Sequence, residues 1–187
     1  MNKVIYAAYG TNLLKERFLV YIKGGYYEGR NYEGCRDKTN PIDRGWMFIP
    51  HRLYFAKESP RWGNKGVAFI TSNKEPDKNY HSVVRLWEIT EEQFYDIWKQ
   101  EGRGYYPKKL NLGIKDGLKI YTITGDWLQE INPPSESYLN IIRKGLKETT
   151  GWDDRQIDKY LKKFMEGENE SKTYRRLYGG EGSSKLT

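Results

Sequence analysis

The residues Tyr9-Gly10-Thr11-Asn12, called the corner below, stand between an apolar run and a helical pattern. A glycine followed by two small polar residues is typical of a strand-to-helix turn, in which Thr11 or Asn12 caps the helix. The same arrangement can leave backbone N–H groups free to bind an anion or a developing oxyanion, and Gly10 lets a ligand approach the backbone. From this stretch alone both interpretations stay open.

Glu101 is a second residue whose position suggests chemistry. It closes the helical pattern of residues 90–102, where the negative end of the helix dipole disfavours a carboxylate by roughly 0.3–1 kcal/mol. We therefore expect Glu101 to have a raised pKa, which suits a general acid–base group. The alternative is a solvated glutamate at a frayed helix end, next to Lys99 and Arg103.

Other catalytic or metal-binding patterns are poorly represented. His51 and His81 are far apart in the sequence, and the single cysteine, Cys35, has no local signature of a nucleophile. The sequence contains no Gly-x-Ser-x-Gly elbow and no Walker loop. We predict no metal site.

The elements that must position the corner and Glu101 follow from hydrophobic periodicity. The predicted strands span residues 2–10, 66–72 and 80–89, with a strand or a strand pair broken near Pro50 at 46–59 and a hairpin at 108–125 around Asp116-Gly117. The predicted helices span 11–25, 90–102, 132–151 and 152–165. Thr90 and Ser135 are expected N-caps. Residues 25–45 are rich in Gly, Asn and Asp and predict a long loop. The order predicts an α+β domain whose mixed or antiparallel sheet could close into a barrel.

Length and composition bound the class of protein. A chain of 187 residues, 15% of them aromatic, suits one domain with a sizeable core. We assign that domain to residues 1–166 and predict a flexible C-terminal tail at 167–187, where little is available to bury. No apolar run approaches the ~18 residues that a membrane span requires. One cysteine and no signal-peptide pattern favour a cytoplasmic location.

The net charge of +7 raises the question of nucleic acid binding. However, 25 acidic residues are mixed among the 32 basic ones, and the two tight basic clusters, KYLKKF (159–164) and YRRLY (174–178), lie near the C-terminus. A basic surface without a nucleic acid partner is the favoured interpretation.

The corner and Glu101, taken together, resemble the γ-glutamylcyclotransferase family over roughly residues 3–165. The family opens with a strand that ends in Tyr-Gly-Ser-Asn-Leu, places its catalytic glutamate in a Gln-Glu-Gly context in some members, and has a Pro-Ser-x-x-Tyr helix. The matching residues here are Tyr9-Gly10-Thr11-Asn12-Leu13, Gln100-Glu101-Gly102, Gly104-Tyr105-Tyr106, Tyr121, Trp62-Gly63, and Pro134-Ser135 with Tyr138.

The resemblance implies a small mixed β-barrel flanked by helices. It also implies an internal reaction, in which the α-amine of a γ-glutamyl group attacks its own γ-amide carbonyl and releases 5-oxoproline and a free amine, with no metal or organic cofactor. Glu101 takes the catalytic role. The implied substrate-binding residues are Tyr9, Gly10, Thr11, Asn12, Tyr105, Tyr106, Tyr121 and Tyr138, with the choice between Tyr105 and Tyr106 unresolved.

Departures from the family leave the small-molecule partner open. Thr11 replaces Ser, and the segment from about Arg30 to Arg44 resembles an insertion, either a lid or a plain loop. The substrate could be a γ-glutamyl amino acid, a γ-glutamylamine or the isopeptide of a crosslinked lysine. The alternatives are a binding module on the same fold without turnover and, less favoured, a basic nucleic-acid-binding protein. The sequence does not indicate an oligomeric state.

Overall fold

The protein, in a computed structural model, is described for residues 2–165. The strands are β1 (Lys3–Ala8), β2 (Gly25–Tyr27), β3 (Arg30–Tyr32), β4 (Ile42–Ile49), β5 (Leu53–Ser59), β6 (Lys65–Ile70), β7 (Ser82–Thr90), β8 (Lys108–Lys115) and β9 (Leu118–Thr124). The α-helices are α1 (Lys15–Lys23), α2 (Glu91–Glu101), α3 (Glu136–Thr150) and α4 (Asp154–Met165). The predicted tail at 167–187 and the YRRLY cluster lie outside the described residues.

The central sheet has five strands in the order β4-β7-β1-β9-β8. β1 runs antiparallel to β7 and parallel to β9, so the sheet is mixed. Two further hairpins, β2–β3 and β5–β6, complete the strand pairing of the described residues. The mixed α+β fold class is therefore confirmed, and closure of the strands into a barrel stays a prediction.

β1 occupies the middle of this sheet because both of its faces are apolar. Its side chains alternate between two cores, as the period of two in a strand requires. Ile5 and Ala7 face the core formed with β5, β6, α3 and α4, and Val4 and Tyr6 face the core formed with α1 and α2. The corner follows directly, so it is carried at the end of a strand buried on both sides.

The predicted helix start at the corner is wrong. Thr11–Leu13 form one turn of 3-10 helix, Leu14 is extended, and α1 begins at Lys15. Neither Thr11 nor Asn12 caps a helix with its side chain. The physical reason is that Asn12 turns its amide towards Glu101 instead. The dipole of α1 consequently does not start at the corner.

α2 begins as predicted and places Glu101 at its last position. Thr90 Oγ1 accepts from the Gln93 N–H at 3.2 Å, and Gln93 Oε1 accepts from the Thr90 N–H at 2.9 Å, which makes a complete capping box. Gly102 ends the helix with φ 90° and ψ 115°. The positive φ explains the glycine, and the ψ value lies outside the left-handed helical region.

The segment predicted as a loop, residues 25–45, contains the hairpin β2–β3 and the first residues of β4. Tyr32 anchors the hairpin, because its ring is buried and lies 5.1 Å from the ring of Tyr21 on α1. Periodicity could not reveal such strands, since each has only three residues.

The C-terminal half follows the predictions closely. β8 and β9 pair around Asp116-Gly117, both with positive φ, and Ser135 Oγ caps α3 by accepting from the Tyr138 N–H. The KYLKKF cluster lies on α4, whose Tyr160, Leu161 and Phe164 are buried in the core. Within residues 2–165 no helix has the length and apolar character to cross a membrane.

Candidate active site

A cavity of about 270 Å³ opens where the corner meets α2, α3, β6 and the 3-10 turn Pro60–Trp62. Eight of the nine predicted site residues line it: Tyr9, Gly10, Thr11, Asn12, Glu101, Tyr105, Tyr106 and Tyr138. Residues from five separate parts of the chain thus meet around one small volume. We call Asn12, Glu101 and Tyr138 the glutamate end of this cavity, and Arg17, Arg30 and Arg61 the arginine end.

Glu101 and the corner are in direct contact. Asn12 Nδ2 donates to Glu101 Oε1 at 2.7 Å. The Asn12 backbone is fixed from the other side, because its carbonyl accepts from Trp87 Nε1 at 3.1 Å. Asn12 therefore orients the carboxylate over the cavity, and the short 3-10 turn places the Asn12 side chain within reach of Glu101.

The pKa of Glu101 is raised above its ordinary value, chiefly because burial disfavours the charged form. The positive charge of Arg17 and hydrogen bonds from Tyr21 and Asn12 act in the opposite direction and lower the pKa. These donors keep the ionised form accessible. A half-buried carboxyl group balanced in this way can take a proton and return it.

The tyrosine hydroxyls around Glu101 are tied to the backbone. Tyr9 donates to the Ile123 carbonyl at 2.7 Å, Tyr106 donates to the Ala68 carbonyl at 3.1 Å, and Tyr138 accepts from the Ala68 N–H at 2.9 Å. Burial raises the pKa of Tyr138 above its ordinary value, so this hydroxyl stays protonated. The tyrosines form a rigid, neutral wall beside the carboxylate.

Tyr105 lies further out on this wall. Its hydroxyl donates to the Glu58 carbonyl at 2.5 Å, and its own carbonyl accepts from Trp127 Nε1 at 2.7 Å. Both Tyr105 and Tyr106 line the cavity. The two tyrosines therefore occupy different places on the wall, Tyr106 near Ala68 and Tyr105 near the mouth formed with β5.

The corner presents backbone rather than side chain to the cavity at Gly10. A Cβ added to Gly10 would lie 3.3 Å from Ala68 Cβ and 3.6 Å from the Tyr138 hydroxyl, so any side chain would occupy the cavity. Among residues 2–165, no hydrogen bond uses the N–H groups of Thr11 and Asn12 as donors. The corner can therefore offer amides to an anionic or polarised oxygen.

Tyr121 is the exception among the predicted site residues, because it does not line the cavity. Its ring lies 5.7 Å from the ring of Phe94 on α2, with Lys109 Nζ 4.3 Å from the ring centre. Packing against α2 takes the side chain away from the corner. We leave Tyr121 out of the proposed site.

The arginine end was missed by sequence reasoning. Arg17, Arg30 and Arg61 all line the cavity, although they come from α1, the β2–β3 hairpin and the Pro60–Trp62 turn. One signal existed for Arg17, because it precedes the buried Tyr21 by one helical turn and thus shares its face. No sequence signal connects Arg30 or Arg61 to the corner.

Metal ligands are not grouped in residues 2–165: no three His, Cys, Asp or Glu side chains there are placed to hold an ion. Cys35 is buried at the base of α1 and α2, with Sγ 3.2 Å from the Tyr21 carbonyl. Burial raises the pKa of this thiol to about 12, so Cys35 is a packing residue rather than a nucleophile.

Comparisons with known sequences are sparse. No protein-family profile matches the chain. Histone deacetylase 5 of Arabidopsis thaliana is 29% identical over 204 aligned positions, which cover 87% of this chain and 31% of that protein. The chain thus spans less than a third of the length of this curated relative.

Solved structures give a clearer result. Gamma-glutamyl cyclotransferase superposes with a TM-score of 0.61 at 21% identity, covering 97% of this chain and 94% of its own. An uncharacterised human protein gives a TM-score of 0.62 at 21% identity, covering 90% and 91%. YkqA from Bacillus subtilis gives 0.56 at 16% identity, covering 87% and 54%. The chain therefore has the γ-glutamylcyclotransferase-like fold.

Proposed function

We propose that this protein is an enzyme of the γ-glutamylcyclotransferase type, which releases 5-oxoproline and an amine from a γ-glutamyl compound. The observation that carries the proposal is the hydrogen bond between Asn12 of the corner and Glu101, at 2.7 Å, on the wall of a cavity of small-molecule size. The fold supports it, since gamma-glutamyl cyclotransferase shares that fold. A cytoplasmic location stays a prediction.

The proposed reaction begins with proton transfer. Glu101 takes a proton from the substrate α-ammonium, which frees the nitrogen lone pair for attack on the γ-carbonyl carbon. Amides of the corner polarise the carbonyl oxygen as negative charge develops on it. Because nucleophile and carbonyl belong to one molecule, the cavity has only to hold the chain in its folded, ring-like conformation.

The second half of the reaction returns the proton. Glu101 donates to the leaving nitrogen while the original C–N bond breaks, and the new ring nitrogen gives up its extra proton. That proton leaves with the released amine as an ammonium group. The raised pKa of Glu101 suits both directions of transfer, because its cause, burial, makes the carboxylate a stronger base than an exposed glutamate.

The test is 5-oxoproline release from a panel of γ-glutamyl compounds: γ-glutamyl amino acids, γ-glutamylamines and γ-glutamyl-ε-lysine. With any compound that is turned over, Glu101→Gln should lower kcat by at least about 100-fold, the usual contribution of a general acid–base group. Glu33→Gln is the matched control, because Glu33 is exposed in the loop after β3. Its kcat should stay within about two-fold of wild type.

Two results would contradict the proposal. Equal kcat in Glu101→Gln and wild type would remove Glu101 from the mechanism. If no γ-glutamyl compound yields 5-oxoproline, but calorimetry shows that such a compound binds to the folded protein, the protein is a binding module on this fold.

A further inference from the structure

The arginine end gathers three positive charges around one aromatic ring. The guanidinium carbons of Arg17, Arg30 and Arg61 lie 4.7, 5.1 and 5.5 Å from the centre of the Tyr32 ring. Each cation gains from the ring face, but the three repel one another. The effect is visible at Arg61, whose pKa is lowered by burial and by the charges of Arg17 and Arg30.

Part of this guanidinium surface has no protein partner. Arg17 is 4% exposed, and it donates from Nη2 to the Tyr21 hydroxyl at 3.1 Å. Among the described residues, however, Arg17 Nε and Nη1 and Arg61 Nη2 are buried without an acceptor. Buried charged donors are normally paired, because leaving them unpaired is costly. An acceptor from outside the chain would remove that cost.

The charges around the cavity do not balance. Of the described residues that line it, Glu101 alone is acidic, whereas Arg17, Arg30 and Arg61 are basic. With Glu101 ionised, the lining carries a net charge of two positive units. The γ-glutamyl group itself is neutral overall, since it has one α-ammonium and one α-carboxylate. A balancing substrate therefore needs two further negative charges on the part that departs.

We propose that the substrate is a γ-glutamyl amide whose departing amine carries a doubly negative group, held by Arg17, Arg30 and Arg61; this rests on the proposed function. A phosphate monoester and a pair of carboxylates share this chemistry. Guanidinium groups match both, because their planar N–H pairs bind phosphate and carboxylate oxygens bidentately. A phosphate monoester carries about −1.5 to −2 charges at pH 7.

The experiment compares substrates that differ in this group alone. N-(γ-glutamyl)phosphoethanolamine is measured against N-(γ-glutamyl)ethanolamine, and γ-glutamyl-glutamate against γ-glutamyl-alanine. We expect kcat/KM to be at least about 30-fold higher for the doubly negative member of one or both pairs, which corresponds to about 2 kcal/mol of selective binding. Because the two pairs differ by unequal charge, the preferred group is identified by comparing kcat/KM of the two doubly negative compounds directly: the better substrate shows whether the site takes a phosphate or a dicarboxylate.

Arginine variants test whether the preference for the doubly negative substrate arises at the arginine end. Arg61→Gln should reduce the ratio of kcat/KM within the favoured pair by about 10-fold or more. Arg30→Gln should reduce the ratio in the same direction, and its exposed position in the β2–β3 hairpin makes folding insensitive to the change. Arg103→Gln is the matched control, because Arg103 is exposed and stacks on Trp98 outside the cavity lining. It should leave the ratio unchanged.

A ratio near one in both pairs, or a ratio that Arg61→Gln and Arg30→Gln leave intact, would overturn the inference while the proposed function stands. If other compounds of the panel yield 5-oxoproline and none of these four does, the inference is overturned and the proposed function stands. If no compound yields 5-oxoproline, the proposed function fails, and calorimetry with N-(γ-glutamyl)phosphoethanolamine decides the inference separately. Affinity at least about 10-fold above that of the ethanolamine compound and lowered by Arg61→Gln would support the anion site. Equal affinities would refute it.

Discussion

The two ends of the cavity are built differently. At the glutamate end, Glu101 and Tyr138 are carried by the helices α2 and α3, and Asn12 lies in the 3-10 turn that follows β1. Asn12 donates to Glu101, and the Tyr138 hydroxyl accepts from the Ala68 backbone. The arginine end uses a two-stranded hairpin and a 3-10 turn beside α1, and buried guanidinium N–H groups remain there without protein acceptors among residues 2–165.

Under the proposed function, this difference corresponds to two separate roles, proton transfer at one end and recognition of the departing group at the other. Proton transfer needs atoms held within fractions of an ångström, so the reacting carboxyl group belongs on long, packed elements. Recognition of a departing group tolerates small adjustments and varies among related enzymes, so it belongs on short, peripheral elements. Among residues 2–165, one buried polar atom at the glutamate end, Asn12 Oδ1, lacks a hydrogen-bond partner, whereas three guanidinium nitrogens lack one at the arginine end.

The largest effect should come from the glutamate end. Asn12→Ala removes the donor to Glu101, a hydrogen bond to a charged group worth about 1.5–3 kcal/mol. We expect turnover to fall about 10- to 100-fold at neutral pH and the rise of kcat/KM with pH to move to higher pH, because the ionised carboxylate loses its partner. Asn40→Ala, at an exposed site, is the control. A pH profile identical to wild type would show that Asn12 does not hold Glu101 in solution.

A second variant tests whether the packing that supports the glutamate end is rigid. Gly145 on α3 faces the turn after the corner, and a Cβ there would lie 2.7 Å from both Leu13 Cβ and Leu14 N. Gly145→Ala should therefore destabilise the fold by about 1–3 kcal/mol through overpacking. Thermal unfolding checks this, with the exposed Lys144→Ala expected within about 0.5 kcal/mol of wild type. Unchanged stability in Gly145→Ala would mean that the corner yields easily and is not rigid.

The arginine end should respond in the opposite sense. Arg61→Gln relieves repulsion with Arg17 and Arg30, so without ligand we expect unchanged or slightly higher stability, within about 1 kcal/mol. The wild type should gain more stability than the variant when NaCl is raised, because salt screens like charges. Chemical denaturation at two salt concentrations measures both. A marked loss of stability in Arg61→Gln at low salt would show that the arginine holds the fold together.

The smallest effect concerns pH and stability. The folded pKa of Glu101 lies above its ordinary value of 4.5, because burial penalises the charge. Between the unfolded and folded pKa values the folded state binds more protons, so the stability of the wild type falls as pH rises through this window. Glu101→Gln lacks this loss and should gain on the wild type as pH rises above 4.5. Parallel stability curves for the two proteins would mean that the carboxyl group is not buried.

Local sequence patterns predicted the parts of the molecule that local physics determines. The capping box at Thr90, the Ser135 cap and the buried stripes of α3 and α4 all depend on neighbours within a few residues. The corner failed as a helix start because its decisive contact, from Asn12 to Glu101, joins residues 89 positions apart. The preference of Thr11 or Asn12 for a helix N-cap was therefore outweighed by the hydrogen bond between Asn12 and Glu101.

The site residues also divide into those that sequence patterns predicted and those that depend on long-range packing. The resemblance that pairs the corner with Gln100-Glu101-Gly102 identified the cavity, and Tyr138 followed from its helix motif. Tyr121 could not be separated from them, because strand alternation gives the face of a residue but not the helix that covers it. Arg30 and Arg61 could not be predicted as site residues from the sequence, since they are brought together by the packing of Tyr32 against Tyr21.

The pairing of β1 carries a consequence for biogenesis. Its antiparallel neighbour is residues 82–90 and its parallel neighbour lies at 118–124, so β1 is synthesised before either of the strands that pair with it. Contacts so distant in sequence slow folding and leave an apolar strand uncovered during translation. The cavity of the candidate site should therefore form late, and nascent chains that end before β9 should be bound by chaperones.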